Sequence, residues 1–64
     1  MNDYEKDWWT TEAMIRFGGS FVKGLGNLWR LADTTNRSKL EQAFLNYFEV
    51  YKSQGEMLRK DNGV

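Results

Sequence analysis

From Leu40 to Leu58 the positions Leu40, Phe44, Tyr47, Tyr51, Gln54 and Leu58 follow one another at alternating steps of four and three, and all but Gln54 are apolar or aromatic. Steps of this kind bring every member to one side of a 3.6-residue helix. Phe48 fills the same side between Phe44 and Tyr51. The spacing predicts a helix over about 37–60, the longest in the chain. Glu49 with Lys52, and Glu56 with Lys60, are spaced to pair on its outer side. Gly55 is its weak point, costing about 1 kcal/mol relative to alanine.

Two shorter helices precede it. Trp9, Ala13 and Phe17 fall four apart with Met14 beside them, and Thr10 is a suitable cap, which predicts a helix over about 10–17. Glu12 stands four residues before Arg16, the favourable order for an ion pair. Ser20 then caps a helix over about 20–33, with Phe21, Leu25, Leu28 and Ala32 on one apolar face. Val22 and Trp29 add a neighbouring line, so the stripe is as wide as a central helix with two partners requires. Asp33-Thr34-Thr35-Asn36 prefers caps and turns and ends the segment.

No stretch alternates apolar and polar residues for long enough to predict a sheet. The expected fold is all-α, a single three-helix domain spanning 1–64, with residues 1–8 and 61–64 as loose ends.

A chain of 64 residues lies near the lower limit for a single hydrophobic core. Ten aromatic residues compensate, each able to bury roughly 150–250 Å². Cysteine and histidine are both absent, which excludes disulfides, ordinary zinc sites and Cys/His or Ser-His-Asp catalytic groups within one chain. Neither an enzymatic activity nor a cofactor or metal ion is expected. No apolar run approaches the 18 or so residues of a membrane span, and the acidic start is unlike a signal peptide. The expected location is the cytoplasm, with no membrane association.

Net charge is zero but unevenly spread. Residues 1–12 carry Lys6 against four acids, whereas 13–40 carry Arg16, Lys23, Arg30, Arg37 and Lys39 against Asp33 alone. These five basic residues are the candidate anion or nucleic-acid contacts, and Arg16, Lys23, Arg30 and Arg37 recur every seven residues, or two helical turns. Zero net charge favours the simpler expectation that the acidic start neutralises the basic middle.

The segment F-G-G-S-F-V-K-G-L-G-N, residues 17–27, fits neither phosphate-binding register. Leu25 stands where a P-loop needs lysine after Gly24, and Trp29 stands where a dinucleotide fingerprint needs its third glycine. The expectation is a helix-to-helix corner, with Gly18 in a left-handed position ending one helix and Ser20 capping the next. Gly24 and Gly26 fall inside a helix at a joint cost of about 2 kcal/mol, so each asks for a close neighbour, within the fold or on a partner.

The segments W-T-T-E-A-M (9–14), F-G-G-S-F-V (17–22), L-A-D-T-T-N (31–36) and A-F-L-N-Y-F-E-V-Y (43–51), in this order and spacing, resemble a group of short uncharacterised proteins encoded by tailed bacteriophages and prophages. That group tends to place proline after the A-D and A-F pairs, where this chain has Thr34 and Leu45, which implies one continuous third helix here and two there. The resemblance implies an accessory protein in a bacterial cytoplasm and supplies no catalytic residue to carry over. The leading functional expectation is binding to a host protein, with inhibition of a host defence protein as its most concrete form. Its candidate contacts are Tyr4, Trp8, Trp9, Gly24, Gly26 and Trp29, amphipathic aromatics and bare backbone suited to an interface. Homodimerisation, nucleic-acid binding and a structural role in a virion are the alternatives.

Overall fold

The computed structural model describes residues 3–63 and contains α1 (Asp3–Phe17), α2 (Ser20–Leu31), α3 (Thr34–Ala43) and α4 (Leu45–Gly63). There is no strand among the described residues. The class is all-α, as the periodicity predicts, but the helices number four rather than three. A single helix over 37–60 would be about 36 Å long, whereas the molecule measures 29 × 26 × 19 Å. The chain bends at Phe44 instead, with φ −122° and ψ 39°. The Phe44 N–H still donates to Leu40 O at 2.9 Å, and its carbonyl accepts from Tyr47 N at 3.0 Å and Phe48 N at 3.3 Å. The bend therefore leaves both backbone groups paired. Thr34 and Leu45 are the first residues of α3 and α4, the helical position that suits proline best. This chain turns at those points without it, so the expectation of a continuous third helix is corrected.

The first helix begins at Asp3, not Thr10, and α4 runs to Gly63, so 3–8 and 61–63 are helical where loose ends were expected. Residues 1, 2 and 64 lie outside the described residues. Packing extends α1 toward its start: Tyr4 stacks on Trp29 with ring centroids 5.7 Å apart, and Trp8 packs against the core. Thr10 and Thr11 are buried in mid-helix rather than capping it. Their hydroxyls donate back to Lys6 O at 3.0 Å and Trp8 O at 2.7 Å, satisfying themselves within the turn.

It is α1, not α2, that lies centrally, packed against α4 on one side and α2 on the other. A glycine makes each crossing close. A Cβ at Gly55 of α4 would fall 2.7 Å from Trp9 O, and one at Gly26 of α2 would fall 3.1 Å from Thr11 O and from Ile15 Cγ1. The expected weak point of the long helix is thus where it touches α1 most closely. Gly18 is needed for space and not for a left-handed backbone, which it does not adopt. A Cβ there would lie 2.5 Å from Val22 Cγ1 and 2.6 Å from Met14 O. Gly19, rather than Ser20, is the residue that caps α2.

Met14, Val22, Leu25, Trp29 and Phe48 form the core, with Trp8, Leu40, Phe44 and Tyr51 packed on its margin. The inner face of α2 is Val22, Leu25, Gly26 and Trp29, rotated from the predicted line of Phe21, Leu25, Leu28 and Ala32. In α4 the buried line runs through Phe48 and Gly55, with Tyr51 and Leu58 half-buried beside it. Asp33 caps α3 by accepting from Asn36 N at 2.9 Å, as its place in the turn segment predicts. No residue of α3 is buried.

Candidate functional site

Three of the five basic candidates are occupied within the fold. Glu12 receives Arg16 Nε at 2.7 Å and Arg30 Nη2 at 2.6 Å, one guanidinium on each carboxylate oxygen. Arg30 also donates to Thr11 Oγ1 at 3.1 Å and to Trp8 O at 3.3 Å, and its guanidinium lies 4.1 Å from the Trp8 ring centroid. Burial pushes the Glu12 carboxyl up, but the two arginine hydrogen bonds and charges outweigh it and hold the group below the ordinary carboxylate value. The network ties α2 to α1 through a salt bridge that both partners largely shield from water.

Arg37 closes the C-terminal end of α2. Its Nε donates to Trp29 O at 3.0 Å, which also accepts from Ala32 N at 3.2 Å, and its Nη2 donates to Arg30 O at 3.4 Å, so it adds a partner to two carbonyls of the last turn. The same guanidinium lies 4.4 Å from the Trp29 ring centroid and 4.9 Å from that of Tyr4. Trp29 Nε1 donates to Glu41 of α3 at 2.7 Å. One stack therefore joins α1, α2 and α3. It borders a polar cleft of about 580 Å³ that also reaches Lys6, Thr10 and Lys52. Lys23 and Lys39 are exposed and have no ion pair among the described residues.

The six partner-binding candidates separate in the same way. Trp29, 1% exposed, and Gly26 are buried by the chain's own residues. Trp8 and Trp9 are half-buried and meet edge to face at 5.0 Å. Tyr4 is exposed on one side and stacked on the other. Gly24 is exposed, with nothing within 4 Å of a Cβ placed on it. The neighbour expected for the two helical glycines exists for Gly26, on α1, and not for Gly24.

The apolar residues that the fold leaves outside form the more suggestive surface. On α2, Phe21, Gly24, Leu28 and Leu31 lie at i, i+3, i+7 and i+10 on a face beside the buried one, and Phe21, Leu28 and Leu31 are 57%, 50% and 84% exposed. Phe21 gathers Phe44 and Tyr47 into a surface cluster with centroids 5.7 and 5.5 Å from its own. At the other end, Leu28 and Leu31 face Leu40 and Ala43 of α3 across an apolar groove of about 440 Å³. A second apolar groove of about 320 Å³ lies between α1 and α4 beside Phe17 and Met57. The unusual width of the α2 stripe was the signal for the first surface.

Compared with protein-family models, curated proteins and solved structures, the chain has no match. No helix among the described residues is long and apolar enough to cross a membrane.

Proposed function

We propose that this chain is a small accessory protein that acts by binding another protein through exposed apolar helix faces. The observation that carries this role is the apolar surface left exposed on the second face of α2 and around the groove beside Phe17 and Met57. It holds large side chains at half exposure or more in a chain too small to leave apolar volume idle. The resemblance to phage-encoded proteins makes a bacterial host protein the partner, and interference with that protein the effect. No catalytic role is assigned to any residue. Nucleic-acid binding is less favoured by the geometry, because Arg16, Arg30 and Arg37 are already engaged by Glu12, backbone carbonyls and aromatic rings, which leaves Lys23 and Lys39 of the five basic candidates.

Affinity capture from bacterial lysate, with and without nuclease, tests the role using the full chain and the variants Leu31→Asp and Met57→Asp. The expected result is a discrete host protein that survives nuclease and is lost from at least one variant. Recovery of nucleic acid that weakens steeply with salt would transfer the role to the basic residues. Recovery of nothing beyond the chain itself would overturn host-protein binding.

A further inference from the structure

The outer face of α2 places exposed apolar residues evenly about the middle of the helix. Phe21 and Leu28 are equidistant in sequence from the Gly24–Leu25 bond, and both stand on the exposed face with Gly24 between them. Two copies of α2 laid antiparallel, with a two-fold axis beside Gly24, bring Phe21 of each copy against Leu28 of the other. A projecting ring and the groove formed by Leu28, Leu31, Leu40 and Ala43 thus sit on opposite sides of one axis. That is the requirement of an isologous interface. We propose that the partner seated on this face is a second copy of the same chain, forming a two-fold dimer. The proposal rests on the protein-binding role above and gives the α2 face to a second copy, which leaves the groove beside Phe17 and Met57 to the host protein.

Three further observations support a second copy. Phe21, Leu28, Leu31 and Tyr47 each present on the order of 100 Å² and, with their neighbours, about 500 Å² of apolar surface per copy. A standard interface covers about 800 Å² per partner and is a little under 60% non-polar, which calls for nearly the same apolar area. Gly24 carries the helix-propensity cost of glycine without an intramolecular neighbour. At the crossing point it lets two helix backbones come to about 8 Å. Arg30 is turned onto α1 and paired with Glu12, and Lys39 is the one charged residue lining the groove, so the two-fold brings no basic cluster face to face.

Sedimentation equilibrium of the purified full chain over a concentration series decides the matter. The expected result is a monomer–dimer equilibrium with a limiting mass twice that of the chain. Leu31→Asp and Gly24→Ala should each raise the dimer dissociation constant at least tenfold while the circular dichroism of the monomer stays helical. Met57→Asp, outside the face, should leave the constant unchanged. A wild-type chain that stays monomeric to about 1 mM, or a Leu31→Asp chain that dimerises like wild type, overturns the proposal. Met57→Asp, which leaves the α2 face intact, reports host capture independently of the dimer, so failure of the dimer and failure of host binding are read separately.

Discussion

Gly55 of α4 rests on the backbone of Thr10 in α1, so that a methyl group at Gly55 would lie 2.8 Å from both the Thr10 nitrogen and its Cα. Neither atom can move aside without parting the two helices. Gly55→Ala gains about 1 kcal/mol in helix propensity, but overpacking against rigid backbone typically costs 1–3 kcal/mol before the helices separate. The expected outcome is a net loss of up to about 2 kcal/mol, a melting temperature lower by up to roughly 10 °C. Thermal denaturation followed by circular dichroism measures it.

Gly24 and Gly26 make the opposite comparison within one helix. Alanine at 24 meets open space, and in dilute solution, where no dimer contributes, it should stabilise the monomer by about 0.5–1 kcal/mol. Alanine at 26 presses on the Thr11 carbonyl and Ile15, so its propensity gain is cancelled or reversed. Denaturant titration should place the Gly24→Ala midpoint above wild type and the Gly26→Ala midpoint at or below it.

Glu12 gives stability a pH dependence of known sign. Its folded pKa is depressed, so its contribution is complete above the unfolded carboxylate value of about 4.3 and is lost as pH falls through the lower folded value. Glu12→Gln should cost about 1–2 kcal/mol at pH 7. The gap between the two melting curves should stay constant from about pH 5 to 7 and narrow below about pH 4. A gap that widened in acid would contradict the assignment.

Arg37 is a planar clamp that lysine cannot replace. Arg37→Lys keeps the charge but loses the forked donors to α2 and the stacking on Trp29 and Tyr4, at an expected cost of about 1–2 kcal/mol. Arg16→Lys, whose side chain is half exposed in a pair within one helix, should cost no more than about 0.5 kcal/mol. Tryptophan fluorescence during denaturation compares the two, and a larger loss at Arg16 would refute the clamp.

The helical class was legible because steps of three and four leave little else for Leu40 to Leu58 to be. The bend at Phe44 was not, since Phe44, Phe48 and Tyr51 keep helical spacing straight through it and the reason to turn is tertiary. Thr10 looked like a cap because local propensity favours that use, whereas its burial is set by Gly55 far along the chain. The Glu12–Arg16 pair was readable from neighbouring positions, but Arg30, 18 residues from Glu12, was not. Glu56 likewise pairs with Arg59 at 2.7 Å rather than with Lys60. On α2 the stripe's width was visible but not which part of it α1 would cover, and so Phe21 and Leu28 were placed on the inner face. That two helical glycines carry a cost could be read directly, but which of them had a neighbour depended on how α2 is rotated.

The pairing of α1 with α4 also orders events in time. The surface around Thr10 and Thr11 stays wet until α4 packs on it. A folding chain in which α1 and α2 alone have paired has closed one side of its central helix and not the other, and until α4 docks, the aromatic-rich early segment is the part offered to chaperones and proteases.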